Sequence, residues 1–376
     1  MAVETSKVKK IEDMKVAIVC DWLTGIGGAE RVVLELHKMF PSAPIYTSQY
    51  NPNKIDWFKD ADVRTGWLQK LPTSLKKFLP VLRAIYFSNL NLDKHDLVIS
   101  SSGAEAKGIK TGKNTIHISY IHSPTHYYWS RYEEYLKNPG FGAFDWLARI
   151  GLKALVGPMR MWDKKAATRP NYLIANSTHT KNMIKKYYDR DSEVIFPPVN
   201  LEDFKFNDSK KRKGFVITGR QTPYKRVDLA VSAFTELNQE LTVIGDGPEH
   251  DKLVANAGKN IKFIDRAYNE DLVQAYQTSE AFIFPTDTED FGIAPVEAMA
   301  TGTPVISYDK GGPLDYVIED VNGVFFSELT KESLISAVSK FSSKSFDYLK
   351  VSKSVSKFSI IAFNDAMKTY IKKVIK

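Results

Sequence analysis

From Lys15 onward, short β-branched or apolar runs alternate with longer stretches of helical periodicity. That alternation predicts parallel sheets covered by helices. The predicted strands of the first half are Val16–Asp21, Ile45–Thr47, Leu97–Ser100, Thr115–Tyr120 and Tyr172–Ala175. Those of the second half are Gly214–Thr218, Leu241–Ile244, Ile261–Phe263, Ala281–Phe284 and Pro304–Ser307. Between the two sets, Phe196–Pro197–Pro198–Val199–Asn200 and the polar stretch 207–213 read as a linker. The expected organisation is a flexible segment 1–13, a Rossmann-like domain 14–198, a linker 199–213, a second Rossmann-like domain 214–355, and an amphipathic C-terminal helix within 356–376 that packs back on the first domain. Two doubly wound α/β domains would then face each other across a cleft. In such sheets ligands lie beyond the carboxyl ends of the strands, so the loops after strands carry the candidate chemistry.

Composition narrows the class. A chain of 376 residues with 43% apolar and 26% charged residues is a globular protein long enough for two cores. Cys20, its one cysteine, cannot form an internal disulfide, which points to a reducing compartment and excludes a cysteine-built zinc or iron–sulfur site. The seven histidines have no metal-ligand spacing. Residues 1–200 hold 29 Lys and Arg against 19 Asp and Glu, whereas residues 201–376 hold 23 against 25. The net charge of +8 therefore belongs to the first half, which is expected to face something anionic. There is no run of 18 apolar residues to span a membrane and no apolar core of a secretory signal in residues 1–13, so a cytoplasmic protein is expected.

After the first strand comes Thr24–Gly25–Ile26–Gly27–Gly28–Ala29–Glu30. Such a loop lets backbone amides approach an anion at a helix start, and it equally suits a tight strand-to-helix turn. It lacks the G-x-G-x-x-G order of a dinucleotide site, which disfavours a dehydrogenase. The second half is richer. Arg220 and Lys225, in Gly219–Arg220–Gln221–Thr222–Pro223–Tyr224–Lys225–Arg226, put two cations after a strand, suited to a diphosphate. Glu289 and Glu297 stand eight positions apart in the stretch 285–297, with Pro295 as the expected first helical residue and Glu297 in the first turn. Carboxylates placed there accept hydrogen bonds from sugar hydroxyls, and the Phe291–Gly292–Ile293 turn offers backbone donors. Asp246 and the Gly311–Gly312 pair complete the rim.

With these motifs in view, the sequence from about Met14 onward resembles the retaining glycosyltransferases of family 4, which have the GT-B fold. The resemblance is carried by Gly219–Arg220…Tyr224–Lys225–Arg226–Val227–Asp228, Gly245–Asp246–Gly247–Pro248–Glu249, Glu289–Asp290–Phe291–Gly292…Glu297–Ala298–Met299–Ala300 and Gly302–Thr303–Pro304–Val305–Ile306. Within that family it is similar to bacterial mannosyltransferases of surface-polysaccharide assembly, through Asp21–Trp22–Leu23–Thr24–Gly25, Leu97–Val98–Ile99–Ser100–Ser101–Ser102 and Tyr120–Ile121–His122–Ser123–Pro124. The resemblance implies transfer of a hexose, mannose from GDP-mannose above all, to a lipid-linked or growing glycan acceptor, with retention and without a metal or other cofactor. It implies that Arg220 and Lys225 bind the donor diphosphate, Glu297 the ribose and Glu289 the sugar hydroxyls. His122 would act near the reacting bond, and Gly27 and Gly28 would approach the phosphates. Cys20 stands where relatives often have His, and Thr125–His126 replaces a Met/Pro–Arg pair.

Competing readings keep the fold and change the use: a UDP-hexose donor, or a non-catalytic sugar-nucleotide sensor. Asp60–Ala61–Asp62 and Asp189–Arg190–Asp191 match a metal-binding Asp-x-Asp string, but neither follows a strand. No nucleic-acid-binding pattern is present, so nucleic acid is not an expected partner. The stretches 73–88 and 143–165, with Arg83, Arg149, Lys153, Arg160 and Lys164 among apolar residues, predict contact with an anionic membrane at the inner face of the cell membrane, although Pro80 and Pro158 interrupt them. Tyr127, Tyr128 and Trp129 are candidates for an acceptor groove or for core.

Overall fold

The computed structural model describes residues 11–72, 79–140, 142–209 and 211–375. The chain divides into two compact units, Met1–Pro197 with Asn364–Lys376, and Pro198–Phe363.

In the first unit the strands are β1 (Val16–Cys20), β2 (Ile45–Thr47), β3 (Val63–Thr65), β4 (Leu97–Ser102), β5 (Ile116–Ile121), β6 (Tyr172–Ala175) and β7 (Glu193–Val194). They form one parallel sheet in the order β3-β2-β1-β4-β5-β6-β7. Ile18 lies opposite Ile45 on one side and Ile99 on the other. Every residue of β1 and β4 is buried, as expected of strands covered by helices on both faces. The second unit repeats the plan with β8 (Phe215–Thr218), β9 (Leu241–Ile244), β10 (Ile261–Ile264), β11 (Ala281–Phe284), β12 (Val305–Tyr308) and β13 (Gly323–Phe326), in the order β10-β9-β8-β11-β12-β13. The order reverses between β1 and β4 and between β8 and β11. These two switch points are where the loops of a doubly wound sheet splay apart and leave a crevice. Both units are Rossmann-like, and together they constitute the GT-B fold.

Three strands escape the sequence pattern, and each is an edge. β3 and β7 span three and two residues and are largely exposed, so no apolar run marks them. β13 does carry an apolar signal in Val324–Phe325–Phe326, and it pairs in register with β12.

The stretch expected to be a linker, 199–213, is instead built into the second unit. Val199 is fully buried and its N–H donates to the Phe358 carbonyl at 2.9 Å. Arg212 donates to the carbonyls of Tyr276, Ser279 and Thr301 and to Thr303 Oγ1, and its guanidinium sits 4.4 Å from the centre of the Tyr348 ring. Its charge is a fastener rather than a solvated spacer. The last helix runs Ile360–Val374 and crosses the division, because the second unit extends to Phe363. In the first unit, Asn364 Nδ2 donates to Glu35 Oε2 at 3.3 Å, and Met367 and Ile371 are fully buried.

The prolines also act differently from expectation. Pro80 opens the helix Pro80–Asn89, where its missing N–H costs nothing. Pro158 lies inside one helix, Asp145–Ala166, without ending it. Both Pro158 and Ala154, whose carbonyl loses its partner, are exposed, so water takes the freed acceptor. Arg83 is not on a membrane-facing surface: it is buried against Glu105 at 2.7 Å. Leu75, Lys76, Lys77 and Phe78 lie outside the described residues. Of the Asp-x-Asp strings, Asp62 pairs with Arg64 at 2.6 Å and Asp191 with Lys185 at 3.3 Å.

Candidate functional site

The second unit carries a cavity of about 560 Å³ at the carboxyl ends of β8, β9 and β10. Arg220 and Asp246 line it, as does Glu297 from the helix Ile293–Ala300. Two loops meet here at backbone distance. The Gly219 amide donates to the Ile244 carbonyl at 3.0 Å, and Gln221 N donates to the Asp246 carbonyl at 2.9 Å. A Cβ at Gly245, whose φ is 131°, would stand 2.1 Å from the Gly219 carbonyl oxygen. Glycine is therefore required there, by closeness and by conformation together. Asp246 turns its carboxylate onto the Gly247 amide at 2.6 Å.

Beside this cavity, at the switch point, Lys225 and Glu289 face each other with Nζ 2.5 Å from Oε2. Each side chain is 19% exposed. The loops that carry them are tied together by Asp287 N donating to the Tyr224 carbonyl at 2.9 Å. Glu289 is tied in turn to the glycine pair, since Gly312 N donates to the Glu289 carbonyl at 2.7 Å. A Cβ at Gly312 would lie 2.2 Å from the Phe291 carbonyl oxygen, so the Gly311–Gly312 turn packs backbone on backbone. Phe291 is buried, and Tyr316 Oη donates to its carbonyl at 3.0 Å.

The helix Ile293–Ala300 starts two residues before Pro295, with Gly292 at φ 84° as its N-cap. Glu297 thus opens the second turn, not the first. Pro295 falls within the first turn, where an N–H has no intrahelical acceptor, so it is tolerated. No side chain caps this helix, and its first-turn amides present the positive end of the helix dipole at the site.

The structure thus gathers Arg220, Asp246 and Glu297 around one cavity, with the Lys225–Glu289 pair beside it. It adds a wall that sequence reasoning missed: Asp265, Arg266, Ala267 and Tyr268, the loop after β10. The signal was available, because this loop too follows a strand at its carboxyl end.

In the first unit, His122 directly follows β5. Its Nε2 is 2.7 Å from Ser101 Oγ at the end of β4, its N–H donates to the Ser102 carbonyl at 2.9 Å, and Thr180 Oγ1 donates to its carbonyl at 3.3 Å. Gly27 is the N-cap of the helix Gly28–Met39 in an extended conformation open to any residue. Gly28 is the first residue of that helix. The Asp21 carboxylate accepts the amides of Gly103, Ala104 and Ala106 at 2.8, 3.0 and 2.7 Å, which binds the loop after β1 to the loop after β4. Burial pushes the Asp21 carboxyl above its ordinary range, and the Ala106 and Gly103 amides, with Lys107 and Arg83 nearby, oppose the shift. Cys20 is buried, and burial holds its thiol far above the ordinary range, in the neutral form.

Tyr127 and Tyr128 line a separate apolar cavity in this unit, whereas Trp129 turns its Nε1 to Asp163 at 2.7 Å and stacks on Tyr187. Trp129 is therefore a packing residue. Among the described residues, no helix is long and apolar enough to cross a membrane.

The family model for glycosyl transferases group 1 matches residues 199–358, which is nearly all of the second unit. The second unit is a group 1 glycosyltransferase domain. The chain is 22% identical to mouse alpha-1,3/1,6-mannosyltransferase ALG2, over 93% of this chain and 94% of that one. It is 33% identical to the GDP-mannose-dependent alpha-mannosyltransferase of Corynebacterium glutamicum, over 34% of this chain and 31% of the relative. The first curated relatives are matched over half of their length or less. Among solved structures, Anabaena HepE in complex with UDP and glucose superposes with a TM-score of 0.65, covering 96% of this chain and 99% of HepE at 17% identity. The group 1 domain contains Arg220, Lys225, Asp246, Glu289, Phe291, Gly292, Ile293 and Glu297, all the donor-side candidates named from the sequence except Gly27 and Gly28.

Proposed function

We propose that the protein is a retaining hexosyltransferase that needs no metal and moves mannose from GDP-mannose to a lipid-linked or growing glycan acceptor. The observation that carries this reading is the cavity with Arg220 and Glu297 in its wall, flanked by the Lys225–Glu289 pair and an uncapped helix start. A diphosphate has the charge to satisfy the cations and the helix amides. Ribose and sugar hydroxyls have the donors to satisfy the two carboxylates.

In this reading the anomeric C–O bond to the donor phosphate breaks as the acceptor oxygen bonds to the same carbon from the same face. The acceptor proton passes to the departing phosphate oxygen, so GDP leaves with it. Arg220 and Lys225 stabilise the growing charge on the leaving group, each such preorganised contact contributing roughly 3–4 kcal/mol. Glu289 holds hydroxyls of the transferred sugar, and Glu297 the ribose. His122 of the first unit is assigned to the same reaction by resemblance.

The mannosyl assignment draws support from ALG2 and from the Corynebacterium enzyme, both named as mannosyltransferases. A UDP-hexose donor is the second reading, favoured by the UDP and glucose in the HepE structure. The protein would work as a peripheral enzyme at an anionic membrane face.

A thermal-shift panel of GDP, GDP-mannose, UDP and UDP-glucose, with and without EDTA, tests the reading, since a ligand that binds only the native state stabilises it. The expected result is a rise in Tm with both guanosine compounds, indifferent to EDTA. A response to uridine compounds alone replaces the donor. No response to any of them overturns sugar-nucleotide binding, and loss of the response in EDTA overturns metal independence.

A further inference from the structure

The cavity of the second unit has three carboxylates in its lining, Asp246, Asp265 and Glu297. Asp246 turns onto the Gly247 amide, and Glu297 is buried on the helix Ile293–Ala300. Asp265, on the loop after β10, differs from both. Its side chain is 81% exposed and accepts no hydrogen bond among the described residues. His250 is its one ion-pair partner among them, with Nε2 4.0 Å from Oδ1, too far for a hydrogen bond. The ring is held from its other side: Gln221 Nε2 donates to the Gly245 carbonyl at 2.6 Å, which leaves Gln221 Oε1 to accept from His250 Nδ1 at 2.9 Å. The Asp265 oxygens are thus open toward a ligand in the cavity.

Sheet order sets where this carboxylate falls along a bound nucleotide. Arg220 follows β8 and the uncapped helix Ile293–Ala300 follows β11, so phosphates are drawn to the β8–β11 end. β10 lies two strands beyond β8, about 10 Å at the usual strand spacing. A nucleoside diphosphate with its phosphates at β8 carries its base across that interval. The wall it meets includes Tyr268, 64% exposed, with Arg266 Nη1 3.4 Å from the Tyr268 hydroxyl. Flat groups of this kind stack on any base, so the choice among bases falls to hydrogen bonding.

A carboxylate can only accept. Guanine offers N1–H and its 2-amino group side by side, a matching pair of donors for the two oxygens. Adenine and cytosine set one donor beside one acceptor, and uracil sets one N–H between two carbonyls, so each would turn an acceptor toward a carboxylate oxygen. We propose that Asp265 selects guanine, accepting N1–H on one oxygen and the 2-amino group on the other. Asp265 has this role only if the cavity holds a nucleotide, so the assignment rests on the function proposed above and deepens it by naming what reads the base.

Guanosine, inosine and xanthosine diphosphates carry at C2 an amino group, a hydrogen and a carbonyl respectively. Isothermal titration of the full chain with these three and with UDP is run on wild type, Asp265→Asn and Tyr268→Ala. The amide in Asp265→Asn presents one acceptor and one donor, which match N1–H and the C2 carbonyl of xanthine. Wild type is expected to bind GDP roughly tenfold more tightly than inosine diphosphate, the loss of one charge-assisted hydrogen bond, and to bind xanthosine diphosphate more weakly still. In Asp265→Asn the xanthosine compound is expected to gain at least about tenfold and to overtake GDP, a gain that misfolding cannot produce. Tyr268→Ala is expected to weaken the guanosine and inosine compounds alike and leave their ratio unchanged.

Equal wild-type affinity for the guanosine and inosine compounds overturns the proposal. So does a preference for GDP over xanthosine diphosphate that survives in Asp265→Asn, or binding of UDP with none of the purine compounds. In each of these cases a nucleotide is still bound, so the cavity keeps its nucleotide role while Asp265 loses its own. Failure of wild type to bind any of the four overturns the nucleotide role and the assignment of Asp265 with it.

Discussion

Lys225 Nζ and Glu289 Oε2, 64 residues apart in sequence, stand 2.5 Å apart across the switch point of the second sheet. Each neutralises the other in a half-sheltered setting. A diphosphate arriving at Lys225 and a sugar hydroxyl at Glu289 would substitute for that contact, so the pair stores the site's polarity without leaving an unmatched charge. Lys225→Ala, Glu289→Ala and Glu297→Ala are each expected to lower transfer by roughly a hundredfold or more while the protein stays folded by circular dichroism. The double variant at 225 and 289 is expected to lose less than the product of the single losses, as residues acting as a unit do. Wild-type turnover in all three single variants would remove these residues from the site.

Asp163 is fully buried and serves four donors: Lys107 at 2.6 Å, Trp129 Nε1 at 2.7 Å, Tyr188 Oη at 2.8 Å and Thr125 Oγ1 at 3.1 Å. Removing it strands a buried ammonium and three polar groups. Asp163→Ala is expected to destabilise the first unit by about 3–5 kcal/mol, read from the midpoint of urea unfolding. Lys107→Met with Asp163→Leu, which removes both charges, is expected to recover part of that loss. A cost under about 1 kcal/mol for Asp163→Ala would show that the cluster is not what holds β5, its following loop and the long helix together.

His117 offers a pH signature. It is fully buried on β5 with Nε2 2.8 Å from Ser100 Oγ, and burial, then Arg190 and Arg169, lowers its pKa to about 3. The native ring is therefore neutral while the unfolded ring takes up a proton near its ordinary value, about 6.5. The unfolded state binds more protons between these values, so His117 lowers stability as pH falls through that window, by about 1.4 kcal/mol per unit at most. Above pH 7 the effect vanishes. Unfolding measured at pH 4, 5, 6 and 7.5 is expected to show a shallower acid loss in His117→Gln than in wild type. Parallel profiles would show that the ring is charged or solvated in the native state.

The parts legible beforehand were those whose signal is local. Val16–Cys20 and Ala281–Phe284 are apolar on both faces and read as interior strands, and the candidate site residues of the second unit stand just after such strands. What stayed hidden was pairing at a distance. Arg83 reads as one more cation on a basic helix until Glu105, 22 residues on, is seen to hold it in the core. Arg212 reads as linker until four partners at the C-terminal ends of two helices converge on it. A charge announces itself in sequence, but the partner that decides whether it is buried does not. The wall formed by Asp265–Tyr268 was missed for another reason: its residues make no recognisable pattern, and only their place after β10 marks them.

The helix Ile360–Val374 begins in one unit and ends in the other. Residues 364–375 leave the ribosome only after the whole of 198–363 has emerged, yet they supply Met367 and Ile371 to the interior of the first unit. That unit, begun first, is thus finished last. Until those residues are made, the nascent protein has a complete second unit and a first unit lacking part of its core, so a break in translation between the two leaves a chain whose second unit is whole and whose first is not.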